Sequence, residues 1–278
     1  MISSKASLLL IAPALALMAG LFMMPLGYSL LWAFREEEAQ TWGIGNFLKA
    51  WEYYSADILF SLVIVTLATA LIAGFSLAIA GYLTLGRSGW AVTLLRWLYR
   101  WPLFIPFVVA AQVMRTFLAK NGMMNNALVE LGLLAPLQTA SYLDWRGIVI
   151  TFVWKQTPFV TLLVAGAMAA MDRAMIEAAQ NMGAKRGRIL LGIIVPQISR
   201  TLMVGLILSY VTMMSVLSVP MMINAQQPTM LTVDMAWRIN AYGDYGVANA
   251  LGFIAYLMTA GVAWIYLRGE LQTRGGAA

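Results

Sequence analysis

The residues able to do chemistry in this chain fall into two groups. Between Met171 and Pro196 the sequence MDRAMIEAAQNMGAKRGRILLGIIVP is polar and basic, and its core reads Glu177-Ala178-Ala179, three residues, Gly183, nine residues, Ile193, one residue, Val195-Pro196. The second group is Arg115 and Lys155, cations inside apolar runs. Charge there costs at least ~3 kcal/mol on insertion scales, so each must meet a partner, a cavity or an interface. Lys155, beside Gln156 and Pro158, is read as lining a solute pathway. Arg115 lies five residues before Lys120, so pathway lining and snorkelling to the surface both remain open for it. Tyr210 and Ser215, polar residues of the fifth apolar run, are candidates for the same route.

What the chain lacks narrows the chemistry. There is no Cys and no His, so thiolate or imidazole metal sites and Ser-His or Cys-His catalysis are excluded together, and no metal site or catalytic residue is predicted. No G-x-x-x-x-G-K-[ST] phosphate loop occurs either. Any ATP and Mg the system uses is therefore held by another polypeptide. The formal charge of +6 is read as topology-setting Lys and Arg against anionic lipid rather than as a nucleic-acid surface.

The elements that position these residues follow from hydropathy. With 61% hydrophobic and 11% charged residues over 278 positions, the chain has too little polar surface for a water-soluble fold. It reads as an all-α, polytopic membrane protein of one domain, residues 1–278, with six spans near 8–34, 58–85, 101–118, 147–171, 202–222 and 247–267. The first is taken as an uncleaved span, kinked near Pro25-Leu26-Gly27, ending at the acidic cluster Glu36-Glu37-Glu38. Residues 40–57 carry Trp42, Trp51, Tyr53 and Tyr54, placed as a membrane-interface belt. The second span is rich in Ala, Gly and Ser, which predicts a central, closely packed helix. The fourth is expected to be interrupted at Trp154 to Pro158. A short surface helix is expected over 126–134.

Loop charge sets the orientation. Eleven Lys and Arg, among them Arg96, Arg100, Arg173, Lys185 and Arg186, fall on one side, and five, Arg35, Lys49, Lys120, Arg146 and Arg238, on the other. The positive-inside rule then places both termini and the segment 172–200 on the cytoplasmic side of the membrane. In that segment Asp172 is suited to cap a helix from Arg173, and Ala178 and Ala179 offer a small, flat surface to a close partner. Gly183 suits a left-handed helix end, allowing reversal into a second helix, 185–194. Pro196 sits early in the helix that returns to the membrane.

The spacing of Glu177, Ala178, Ala179, Gly183, Ile193 and Pro196 resembles the EAA loop of the permeases of type I ABC importers, E-A-A-x3-G-x9-I-x-L-P, with Val195 in place of Leu. The resemblance implies the MetI-like permease fold and a coupling role for these six residues. By it, Glu177 makes a charged contact in a groove of the ATP-binding subunit and Gly183 forms the turn. It implies two ATPase subunits, a second identical or homologous permease and a periplasmic or lipid-anchored solute-binding protein. Asn121-Gly122, Asn125-Asn126 and the run from Ser218-Val219-Pro220 to Gly243-Asp244 are similar to the polyamine, phosphonate and iron branch, which makes those solutes the expectation. No Asp or Glu falls inside a predicted span, although a polyamine site calls for carboxylates. The rival reading is an ion-coupled carrier or channel sensing ions through Arg115 and Lys155.

Overall fold

The computed structural model describes residues 4–36, 41–86, 88–224 and 226–275. Glu37 and Glu38 of the acidic cluster, and Arg87 of the basic loop, lie outside the described residues. The chain opens with α1 (Ser4–Met18), a π-turn (Ala19–Met23) and α2 (Met24–Phe34), followed by a two-residue hairpin pairing β1 (Arg35–Glu36) with β2 (Thr41–Trp42). Then come α3 (Gly45–Leu85), α4 (Gly89–Leu98), a 3-10 turn (Trp101–Phe104), α5 (Phe107–Leu118), α6 (Met123–Glu130) and α7 (Trp145–Ala169). The second half holds α8 (Arg173–Asn181), α9 (Arg186–Ile189), a π-turn (Leu190–Ile194) and α10 (Val195–Ser215). It closes with α11 (Ser218–Ile223), α12 (Leu231–Asn240) and α13 (Tyr245–Gly275).

Among the described residues five helices are long and apolar enough to cross a bilayer, and a bent pair makes a sixth candidate span. That pair stands where the third span was expected over 101–118: Gly89–Phe104 and Phe107–Glu130 meet at 109°. Pro102 and Pro106 lie at the break, where the missing amides and fixed φ prevent one helix from running through.

The second span also differs. It begins at Gly45 instead of 58 and runs for 41 residues, about 62 Å at 1.5 Å per residue, twice the ~30 Å of a hydrocarbon core. The expected interfacial loop is thus the first third of a helix. Trp51 and Tyr53 of the predicted belt are exposed, but Tyr54 is buried. Packing explains the extension: Ala50, Tyr54 and Ile58 join Ala33, Leu231, Val247, Ala250 and Leu251 in a second apolar cluster. Asn46 ties the ends of α2 and α3 together, donating to the carbonyls of Ala33 at 3.1 Å and Arg35 at 2.9 Å.

The main core lies where α3, α7 and α10 meet. Ile64, Ala68, Ile72, Ser76 and Ala80 are buried along one side of α3 at four-residue spacing, which bears out the central place read from its small residues. Phe152, Val160 and Val164 of α7 and Met213 of α10 fill the opposite wall.

Two prolines bend the chain upstream of themselves. The kink expected at Pro25 is a π-turn over Ala19–Met23, and a second π-turn, Leu190–Ile194, precedes Pro196. A proline ring clashes with the carbonyl four residues before it, and a wider turn holding that carbonyl relieves the clash. The expected fifth span, 202–222, is consequently one helical run over Arg186–Ser215, broken after Ser215. The polar patch from Trp154 to Pro158 interrupts the apolar run but not the helix, because α7 carries Pro158 inside a continuous helix packed on its neighbours. The short helix expected over 126–134 is α6, which stops before Gly132 at φ +70°. The sixth span, expected over 247–267, lies within α13.

Candidate functional site

The segment with the distinctive spacing folds as a helix, a reversal and a second helix. Asp172 starts it: its Oδ1 accepts from the Ala174 amide at 2.9 Å, satisfying one of the free donors of the first turn of α8. Gly183 ends it. Its φ of +79° lies in the left-handed region, its amide donates to the Gln180 carbonyl at 2.9 Å, and the Ala184 amide donates to Ala179 at 3.0 Å. These two bonds form a Schellman ending. A Cβ at Gly183 would meet nothing within 4 Å, so backbone conformation rather than space requires glycine there.

The faces of α8 differ from the sequence reading. Ile176 and Ala179 are buried, whereas Glu177, Ala178, Gln180 and Met182 are exposed, Met182 at 83%. The two alanines expected to share one surface are split: Ala179 packs into the core and Ala178 faces out beside Glu177. The reason is angular, since successive residues lie about 100° apart on a helix of 3.6 residues per turn, and Ile176 one turn earlier fixes the inward side. Met175 is exposed and accepts from Gln197 Nε2 through its sulfur at 3.7 Å.

The unit is braced on the long helices. Ile189 and Ile194 are fully buried, Ile193 partly, and Pro196 is exposed at the start of α10. Leu190 presses on α3 where Gly81 leaves room: a Cβ there would come within 2.8 Å of Leu190 Cδ2. Between α8, α4 and the ends of α3 and α7 lies a cavity of about 1020 Å³, with Glu177 and Gln180 on its wall.

The five residues read as a pathway separate into two sets. Lys155, Gln156 and Tyr210 are buried, Lys155 at 7% exposure. The Lys155 ammonium donates to the Leu103 carbonyl at 3.3 Å and lies 5.1 Å from the centre of the Phe107 ring, so it closes the break between α4 and α5 onto α7. Near these residues on α7 and α10 lie the buried hydroxyls of Thr157, Thr161 and Ser209, which have no partner among the described residues. Arg115 and Ser215 are exposed instead, and Ser215 bonds its own helix at the Val211 and Thr212 carbonyls.

At the other end of α3 sits a polar cluster that the sequence reading missed. No Asp or Glu is expected inside a span, yet Asp57, one residue before the predicted second span, lies inside α3 at 2% exposure; Asp234, outside the candidate spans in α12, is 4% exposed. Asp57 Oδ1 accepts from the Thr229 amide at 2.7 Å and Ser61 Oγ accepts from the Leu231 amide at 2.9 Å, pinning the start of α12 to α3. Arg238 donates through Nε to the Tyr54 hydroxyl at 2.6 Å and pairs with Asp244 at 3.1 Å, its guanidinium lying 5.1–5.7 Å from the rings of Tyr53, Tyr54 and Tyr242. Burial, and after it the nearby Asp57 carboxylate, push the Asp234 carboxyl up to about 7 against the opposing pull of Arg238. The signal was present as Asp57 and Ser61 one helical turn apart, and was passed over because the helix was started too late.

Comparison with known proteins adds the following. Residues 70–268 match the family model described as "Binding-protein-dependent transport system inner membrane component". The trehalose/maltose transport system permease protein MalF of Thermococcus litoralis is 27% identical over 244 residues, 81% of this chain and 78% of the relative. The sulfoquinovosyl glycerol transport system permease protein SmoG of Agrobacterium fabrum is 24% identical over 284 residues, 94% and 89% of the two chains. Among solved structures, a chain of a bacterial alginate ABC transporter, in complex with an alginate pentasaccharide-bound periplasmic protein, superposes with a TM-score of 0.76 at 21% identity, covering 93% of each chain.

Proposed function

We propose, from the premise that the chain belongs to the family of binding-protein-dependent transport system inner membrane components, that α8 is the helix through which a partner ATPase drives it. Membership makes the chain an ABC importer permease, a multi-pass inner-membrane transport component and not an enzyme. In the proposed assembly it forms half of a solute pathway with a second, identical or homologous permease. Two ATP-binding subunits hold ATP and Mg and dock on the two copies of α8, and a solute-binding protein delivers cargo to the opposite side. The segment 172–200 and both termini then face the cytoplasm.

The observation that carries this reading is the presentation of Glu177 and Ala178. A capped, Schellman-ended helix holds them outward while Ile176 and Ala179 of α8, with Ile189 of α9, join the main core cluster. A push on α8 therefore reaches the spans without loss in a loose loop. ATP favours the closed ATPase pair, and that differential binding shifts the population of permease states.

The expectation of a polyamine, phosphonate or iron-chelate cargo gives way to a saccharide or glycoside. The relatives' names carry this correction: they are permeases for trehalose/maltose and sulfoquinovosyl glycerol. The residues that suggested polyamines do turn and packing work, Asn125 donating to the carbonyls of Ala119 and Ala140, and such work is indifferent to cargo. Gln156, Thr157, Thr161, Ser209 and Tyr210 are neutral hydrogen-bonding groups, suited to hydroxyls and offering no carboxylate to a polyamine. An ion-coupled carrier or channel is not favoured by these relatives.

The test is solute-stimulated ATP hydrolysis in the reconstituted importer. Glu177→Arg and Gly183→Val abolish stimulation while the permease stays in the membrane. Full stimulation in both variants would overturn the coupling role.

A further inference from the structure

An apolar groove and a basic cavity meet at Tyr99, which lines both. The groove, about 500 Å³, runs between α3 and α7 under the edge of α4. Its α3 wall is Leu71, Phe75 and Ile79, and the next residue of that four-residue spacing, Leu83, lines the cavity. One stripe of α3, about 18 Å long at the helical rise, therefore leads from groove to cavity.

Helix α4 divides its side chains between the two. Leu95 and Leu98 line the groove, whereas Arg96 and the following Arg100 line the cavity. Arg173, Lys185 and Arg186 join them from the α8–α9 unit, with Glu177 the one acid on that wall. Among the described residues Arg96, Arg173, Lys185 and Arg186 form no ion pair. Arg100 is aimed rather than neutralised: its Nε donates to the Tyr99 hydroxyl at 3.2 Å and its guanidinium lies 5.5 Å from the centre of that ring. Trp90, Trp97 and Trp101, all exposed around the same helix, mark the level of a membrane interface.

We propose that this is a binding site for one anionic glycerophospholipid, its headgroup phosphate among the cations and one acyl chain along the groove. The assignment rests on the chain spanning a bilayer and is independent of the coupling role of Glu177. A neutral lipid fills the groove and leaves the cations unanswered. Free phosphate answers the cations and makes no use of the groove. Only a molecule with both parts matches both surfaces, and a polybasic site at the membrane face selects anionic lipid. Bound there, the lipid joins α3, α4 and α7 to the α8–α9 unit, so its headgroup helps set the resting position of the segment that meets the partner.

Native mass spectrometry of the full-length protein, with its copurifying subunits, tests the site using added phosphatidylglycerol, phosphatidylcholine or inorganic phosphate alone. Phosphatidylglycerol is expected to be retained over phosphatidylcholine by about tenfold. Arg96→Gln combined with Lys185→Gln removes that preference, and Ile79→Trp, which fills the groove, lowers retention with the cations intact. Equal retention of the two lipids overturns the proposal. Displacement by phosphate alone, with Ile79→Trp silent, reduces the site to one for free anions and overturns it too. Because the chain has no native Cys, Phe75→Cys reports separately: a disulfide between two copies would give the groove to a second permease. Should the charge variants fail to assemble, Ile79→Trp and the phosphate arm still decide.

Discussion

At the α8 end Arg173, Lys185, Arg186 and Glu177 stand exposed around a cavity and form no ion pair among the described residues, whereas at the opposite end Arg238, Asp244 and Asp57 are drawn inward and tied to named groups. The first arrangement keeps charge available for something outside the chain. The second uses it to hold α12 and the loop before it on α3. Charged side chains of similar types thus stay exposed at one end and anchor the chain internally at the other, and burial separates the two.

The sharpest way to break this contrast is at the anchored end. Asp57→Ala leaves the buried Thr229 amide without its acceptor, a loss of about 1–3 kcal/mol. Hydrogen exchange at Thr229 and Leu231 is expected to accelerate while exchange in α8 stays unchanged. Unaltered protection at Thr229 would mean the loop is held by something else.

Helix α8 offers a comparison within four residues. Ala179→Leu overpacks a site that is 3% exposed and is expected to cost about 1–3 kcal/mol, read as a lower thermal midpoint in detergent. Ala178→Leu leaves the midpoint in place and reduces stimulated ATP hydrolysis. Equal midpoints for the two variants would contradict the inward and outward split.

The ends also separate by pH. The Asp234 carboxyl, raised from 3.8 to about 7, binds its proton more tightly in the folded protein than in the unfolded one. Stability from this group is therefore lost as pH rises from about 4 through 7, and the loss is complete above 7. Asp234→Asn is expected to flatten that part of a thermal-midpoint profile. An unchanged slope would show that another group produces it. Smallest of all, Tyr54→Phe removes the acceptor of Arg238 Nε and costs about 1 kcal/mol, read as a drop in midpoint that Glu177→Gln does not cause.

Much of the segment from Asp172 to Pro196 was legible because its signals are local. Asp172, Gly183 and Pro196 act on backbone within a few residues of themselves, so their types and spacing determine a capped helix, a left-handed ending and a re-entering helix. The central place of α3 was likewise readable from its small residues. The missing Cys, His and phosphate loop bounded the chemistry in the same direct way.

Other features needed the tertiary structure because they depend on residues far apart in sequence. Asp57 meets Thr229, Tyr54 meets Arg238, and Gly81 meets Leu190; no window of hydropathy contains both partners of such a pair. The 41-residue length of α3, the separate faces of Ala178 and Ala179, and the burial of Lys155 under Leu103 were settled by those contacts. Composition determined that this chain lives in a membrane and local spacing determined where α8 begins and ends. Packing alone decided which of its charges face outward.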